Sequence, residues 1–232
     1  MKEGFIYIMH LMIIAQYLNL FGPGEDRLWK LGRSLVERGN EVTIITGTSW
    51  NDINLDSKMI SLTRENGVNL VSFNIPYHAG LDYRKKMSAF IRFKRLTKRQ
   101  GRQLPKPDCI LALSPPLTAL MPALELSSYY GVPLAIEIRE LWPDAPIQRG
   151  TLKNIILIKM ARKFEEKVYE KADCIIAGSK GIADAVKERW VERAKIKILP
   201  QMDNENEMIN IYNEAFKDIK QKNINNFQGG NQ

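Results

Sequence analysis

Residues 25–46 read EDRLWKLGRSLVERGNEVTIIT. Leu28, Leu31, Leu35 and Val36 recur at helical spacing and form one apolar stripe, so a helix is predicted over Glu25–Arg38. Gly39 follows directly, a residue type that ends helices by entering left-handed backbone. Two residues later Glu41–Thr46 is a short, β-branched run and reads as a strand.

The same alternation extends in both directions. Strands are expected at Leu11–Gln16, Asn69–Asn74, Cys109–Leu113, Leu134–Ile138, Cys174–Ala177 and Ile196–Leu199. Helical patterns lie between most of them, at Asp82–Gln103, Leu117–Tyr130, Leu152–Lys171 and Lys180–Arg189. Apolar strands alternating with helices imply an α/β fold: a Rossmann-like open parallel sheet with helices on both faces. No internal repeat is visible, and no linker appears before about residue 200. One domain is therefore expected over residues 1–200. A polar connection with a short amphipathic helix follows over 201–222, carried by Met208, Ile211, Ala215, Phe216 and Ile219. The Asn/Gln/Gly-rich segment 223–232 reads as disordered.

Composition fits a globular chain: 44% apolar and 26% charged residues are ordinary values. Residues 5–21 are apolar but contain His10, Gln16 and Asn19 without a small-residue cleavage site, so a strand is expected there rather than a signal peptide or membrane span. The net charge of +8 is concentrated. Residues 84–106 hold ten basic side chains and no acidic one, leaving the remainder slightly negative. Cys109 and Cys174 sit inside apolar runs and read as small core residues, which suits a reducing, cytoplasmic compartment. His10 and His78 have no neighbouring ligand set, so no metal site is expected.

Polar residues gather where strands end. In an open parallel sheet ligands bind beyond the carboxyl ends of the strands. After the strand Leu134–Ile138 come Arg139, Glu140, Trp142 and Asp144, with Pro143 and Pro146 stiffening the chain. Glu137 lies inside the strand and needs a partner; Arg139 shares its parity. An ion pair of Arg139 with Glu137 or Glu140 is one reading, and contact of Glu140 with substrate hydroxyls is the other. Trp142 is open to stacking on a sugar ring or to anchoring the loop in the core. Ser114 ends another strand, before Pro115 and Pro116, where it can cap a helix or touch a ligand. The loop NLFGPGEDR places Gly22, Gly24 and Glu25 before the first helix. Its glycines permit close approach of a ligand, but it lacks the third glycine of a dinucleotide fingerprint, and its acidic residues disfavour phosphate.

The basic segment is itself amphipathic. Arg84, Arg92, Arg95, Arg99 and Arg102 share one face, opposite Tyr83, Met87, Phe90, Ile91 and Phe93. Such a helix suits an anionic membrane surface or a solvated face over a core; no nucleic-acid signature accompanies it. Further along, Leu157, Met160, Ala161, Phe164 and Val168 make a core stripe, while Ile155, Ile156 and Ile158 make the start of that helix apolar all round. Burial, membrane contact or a protein interface would each explain this.

Three stretches carry a family resemblance: FGPGEDRLWKLGRSLVERGNEVTIITG, PDCILALSPPLTAL, and IEIRELWPDAPIQRG running on through ARKFEEKVYEKADCIIAGSKGI. Together, over roughly residues 11–200, the chain resembles the N-terminal, acceptor-side domain of retaining family-four glycosyltransferases of the GT-B fold. It is most similar to bacterial colanic-acid, O-antigen and capsule polysaccharide transferases. The resemblance implies a hexosyltransferase-type enzyme whose acceptor is a lipid-linked sugar, contacted by Gly22, Gly24, Glu25, Ser114, Arg139, Glu140, Trp142 and Asp144. Arg139 and Glu140 stand where many relatives have a His-Asp pair; Glu140 is the nearest catalytic candidate, and no catalytic residue is assigned. No cofactor is implied. The nucleotide-sugar donor is expected on a C-terminal domain or a partner chain, since the Glu-x7-Glu donor signature is not found in these residues. The expected partners are a donor-domain protein, the acceptor and an anionic membrane, which places the protein at the cytoplasmic face. Alone, the chain is expected to be inactive. The competing reading is a non-enzymatic Rossmann-like module that binds membrane or a partner protein.

Overall fold

The computed structural model describes residues 9–18, 26–47, 59–75, 81, 83–190, 195–199, 207 and 209–219. Among these residues eight strands form one sheet in the order β3-β4-β2-β1-β5-β6-β7-β8. In chain order they are β1 (His10–Ala15), β2 (Glu41–Gly47), β3 (Ile60–Glu65), β4 (Val68–Phe73), β5 (Cys109–Ser114), β6 (Leu134–Ile138), β7 (Cys174–Ala177) and β8 (Lys195–Ile198). The helices are α1 (Arg27–Glu37), α2 (Tyr83–Gly101), α3 (Leu120–Tyr130), α4 (Asp144–Gln148), α5 (Ile155–Lys171) and α6 (Lys180–Trp190), followed by α7 over 209–219.

The expected Rossmann-like α/β architecture is present. Every adjacent pair of strands is parallel except β3 and β4. The antiparallel edge strand β3 is absent from the expectations above. Its signal is Asn66-Gly67, whose positive φ values of 49° and 80° make the tight hairpin turn. β3 carries no buried apolar run because it lies at the sheet edge, where Leu62 is exposed and Arg64 faces solvent.

Strand parity divides the core into two layers. Leu11, Ile13 and Ala15 of β1 join Leu28, Trp29, Leu31 and Leu35 of α1 on one face. Met12 and Ile14 face the other way, toward Phe93 of α2, Leu126 of α3, Val168 of α5 and Val186 of α6. β1 is buried along its whole length because both faces are covered. α7 completes the α1 side. Its buried stripe is Ile209, Tyr212, Ala215, Phe216 and Ile219, so the stripe runs through Ile209 and Tyr212 rather than Ile211, which is half-buried. Met208 and residues 223–232 lie outside the described residues.

Two helix faces differ from their expected pattern. Met160 of α5 is 63% exposed rather than part of the core stripe; Ile155 and Ile156 are exposed beside it. Ile91 of α2 is exposed among the arginines, because the stripe facing the sheet is Ala89, Phe93, Thr97 and Gly101 at intervals of four. His10 is structural, with Nε2 2.9 Å from Thr43 Oγ1 and Nδ1 3.3 Å from the Lys106 carbonyl. His78 lies outside the described residues. Both cysteines are buried and are not joined in a disulfide, and burial pushes the Cys109 thiol far above its ordinary range, which leaves it unreactive.

Candidate functional site

The carboxyl end of β6 is built around a carboxylate with no access to water. Glu137 has odd parity in β6, so its side chain enters the α1 layer and is 0% exposed. An unpaired carboxylate there would be prohibitively costly. Three donors meet it. Arg27, the first residue of α1, donates from Nε at 2.9 Å and also from Nη2. Arg139, two residues beyond in sequence and on the same side, donates from Nε at 2.7 Å. Tyr212 of α7 donates its hydroxyl to the other oxygen, Oε2.

Arg139 continues the chain of charges. Its two terminal nitrogens fork onto Asp26, Nη1 to Oδ2 at 2.6 Å and Nη2 to Oδ1 at 2.8 Å. Asp26 is also the N-cap of α1, accepting from the Leu28 N–H at 2.9 Å. Two arginines thus balance two carboxylates across β6, α1 and α7. Burial works to raise the Asp26 carboxyl, but Arg139 outweighs it and holds Asp26 below the usual carboxylate range. Burial works to lower Arg139, and Asp26 and Glu137 together raise it above an ordinary guanidinium. Burial and the adjacent Glu137 charge drive the Tyr212 phenol well up. These shifts hold Asp26, Arg139 and Tyr212 each in one charge state near neutral pH, so they fix geometry and are not set up to shuttle protons.

The residues beyond β6 fan out from this anchor. The Arg139 N–H donates to the Ser114 carbonyl at 2.9 Å, which ties the ends of β5 and β6 together. Ser114 itself is buried, and the short helical turn after it starts at Pro116 without a side-chain cap. Glu140 points away from Arg139 and pairs with Arg149, Nη2 to Oε2 at 3.0 Å and Nη1 to Oε1. Of the two ion pairs open to Arg139 from sequence, the structure contains the one with Glu137. Trp142 is half-buried and packs on the core layer beneath α2 and α3. Asp144 opens α4 and accepts from Arg162 Nη2 of α5 at 2.8 Å. Gly22, Gly24 and Glu25 lie outside the described residues.

The structure therefore brings Ser114, Arg139, Glu140, Trp142 and Asp144 to one sheet edge, and separates the arginines of α2 from it. Arg84, Arg92, Arg95 and Arg99 are exposed on the outer face of α2, whereas Arg102, also exposed, follows the helix and turns toward Tyr129 of α3 instead of sharing that face. Asp26, Arg27 and Tyr212 are absent from the sequence-derived set. Gln16 is a further addition: it follows β1, is buried, and its Oε1 has no hydrogen-bond partner among the described residues. Gln16 and Ser114 end the two strands where chain order reverses across the sheet, the place where open α/β sheets hold ligands. Among the described residues no cluster of His, Cys, Asp and Glu has the makings of a metal site.

The glycosyl transferase 4-like domain family matches residues 24–201. The chain belongs to this family. Solved structures share the fold. A sucrose-phosphate synthase fragment from Thermosynechococcus elongatus superposes with a TM-score of 0.58 at 14% identity, covering 91% of this chain and 98% of the fragment. The longer sucrose-phosphate synthase from the same organism gives 0.55 at 12% identity, covering 84% of this chain and 48% of the enzyme. Arabidopsis thaliana UGT89C1 gives 0.53 at 12% identity, with 85% and 51% covered. No curated protein matches. This glycosyl transferase 4-like domain thus spans about half the length of the two longer chains. Among its described residues no helix is long and apolar enough to cross a membrane.

Proposed function

We propose that this domain is the acceptor-side lobe of a retaining glycosyltransferase that moves a hexose from a nucleotide sugar onto a lipid-linked glycan in surface polysaccharide synthesis. The observation that carries the reading is the edge after β6, where a charge-balanced anchor fixes the backbone and Glu140, Trp142 and Asp144 follow beyond it. In the reaction the bond from the sugar's anomeric carbon to the donor phosphate breaks. A bond to an acceptor hydroxyl oxygen forms, and the hydroxyl proton leaves with the nucleotide diphosphate or to solvent. The lobe's part is to hold that hydroxyl in place, which removes much of the entropic barrier. Glu140 accepts its hydrogen bond once it exchanges Arg149 for substrate, and Arg139 acts as a positioning residue. The donor sits on a second lobe, supplied by further sequence or by another polypeptide.

The exposed arginines of α2, with Ile91 among them, support peripheral attachment to an anionic cytoplasmic membrane face. The rival reading is a non-enzymatic Rossmann-like module that binds membrane or a partner protein through this face and the apolar start of α5.

The test is a pair of titrations with the purified chain. A lipid-linked sugar acceptor in detergent is expected to bind, and Glu140→Gln to weaken it several-fold, while nucleotide sugars alone give no binding and no transfer. Turnover or tight nucleotide-sugar binding by the chain alone overturns the acceptor-side assignment. Acceptor affinity untouched by Glu140→Gln removes Glu140 from the site.

A further inference from the structure

The helical face opposite α1 contains a hollow of about 710 Å³ over α3, walled by α2 on one side and α5 on the other. Lys94, Lys98 and Arg102 line the α2 wall; Lys167 and Lys171 line the α5 wall; Glu125 lies between them. Five cations thus face one carboxylate. Glu125 is held by the α2 wall alone, with Lys98 Nζ at 2.6 Å and Lys94 Nζ at 3.5 Å. Burial raises its carboxyl, yet Lys98 prevails and keeps it below the usual range, so Glu125 stays charged. Arg102 is steered by its neighbour Tyr129, its guanidinium carbon 4.8 Å from the ring centre. Among the described residues neither Lys167 nor Lys171 has a carboxylate partner.

Like charges apposed around a hollow repel one another and draw in an anion. A single charge would be shared poorly between two walls, whereas a group with several negative charges reaches both. The floor includes Met121 and Phe164, and the size is that of an ordinary small-molecule site. The hollow also lies away from the transfer edge. Arg102, Ser128 and Lys171 come just before β5, β6 and β7 start, whereas Ser114 and Arg139 come where β5 and β6 end. Strands of this length separate the two ends by about 17–20 Å.

We propose that this trough is a second ligand site, one that takes a phosphate group bearing two or more negative charges, either a free diphosphate or a phosphorylated lipid headgroup. It stands whether or not the transferase reading does. Lys98 and Lys167 grip the group from opposite walls, and Glu125 keeps the α2 lysines extended toward it.

Calorimetric titration of the purified chain with inorganic pyrophosphate, and separately with monomeric short-chain phosphatidic acid, tests this. Binding of either probe is expected, and neither signal is reproduced by chloride at matched ionic strength. Lys98→Ala with Lys167→Ala, or Lys94→Glu with Lys171→Glu should the first pair fold poorly, is expected to weaken it at least tenfold. Arg38→Ala with Lys187→Ala, exposed and outside the hollow, removes the same charge and is expected to change it less than twofold. Pyrophosphate binding alone identifies a free phosphate ligand, and phosphatidic acid binding alone identifies a headgroup. Absence of binding by both probes, or equal weakening by the trough pair and the Arg38/Lys187 pair, overturns the site.

Discussion

Arg139 grips Asp26 with both ends of its guanidinium, at 2.6 and 2.8 Å, although the two residues lie 113 positions apart. The same Arg139 holds Glu137 through Nε, so one side chain joins the N-cap of α1 to the interior of β6. Replacing it with Met leaves the fully buried Glu137 short of one donor and Asp26 without its fork. Arg139→Met is expected to cost about 3–5 kcal/mol, as for other broken buried pairs. Urea unfolding followed by circular dichroism measures it; a change under 1 kcal/mol would show that the network carries little of the stability.

Tyr212 and Asp26 set opposite pH limits. The Asp26 carboxyl is depressed in the folded chain, so its contribution is present above its unfolded value of about 3.9 and is lost as pH falls through the lower folded value. The Tyr212 phenol is raised, so its contribution is complete below about pH 10 and is lost as pH climbs toward the folded value. Asp26→Asn should flatten the acid limb of a stability–pH curve, and Tyr212→Phe the alkaline limb. Tyr212→Phe should also cost about 1.5–3 kcal/mol at neutral pH, since the hydrogen bond it removes ends on a charge. Thermal melts from pH 3 to 11 check all three.

Ending the chain at residue 206 removes α7. Ile209, Tyr212, Phe216 and Ile219 are each at most 5% exposed, and burying such side chains contributes about 1.5–3 kcal/mol apiece. The sum rivals the roughly 5–15 kcal/mol that holds a domain folded. The shortened chain is expected to aggregate or lose its cooperative melt, as gel filtration and calorimetry would record.

A methyl group at Gly47 would lie 2.8 Å from the Gln16 carbonyl oxygen, a backbone atom that the Gly47 N–H already holds at 3.0 Å. β1 and β2 cannot part there without breaking that bond. Gly47→Ala is expected to destabilise by about 1–3 kcal/mol, the usual range for overpacking. Chemical denaturation would show the loss, and an unchanged midpoint would mean that the strand ends yield easily.

Reversing charge on the outer face of α2 tests peripheral attachment. Arg92→Glu with Arg99→Glu changes the local charge by four, and each basic residue near an anionic surface contributes about 1 kcal/mol. Flotation with phosphatidylserine vesicles should fall by more than tenfold while the melting temperature stays within a few degrees. Flotation that survives would move the contact to Ile155, Ile156 and Met160 of α5.

Much of the fold is legible in the residue order. β6 and β7 fall where the apolar runs of Leu134–Ile138 and Cys174–Ala177 place them, because a strand buried on both faces leaves no choice of residue type. α1 is readable from its stripe and from Gly39 for the same reason. Ile91 and Met160 depart from the expected stripes because periodicity fixes the spacing of an apolar stripe but not its direction, which the neighbouring helices choose. The pairing of Glu137 with Arg139 is local, two residues apart on one strand, and parity alone suggests it.

The rest of the edge was decided only in three dimensions. Residue order alone places a carboxylate inside β6 and requires a partner for it, since desolvation makes a lone buried charge costly. It could not name Arg27 or Tyr212, which arrive from 110 and 75 residues away. It likewise held the lysines of α2 and α5 in separate segments, and only the packing of both helices around α3 set them facing one hollow. Charge composition is local to the chain, whereas the field it produces depends on which surfaces the fold turns toward each other.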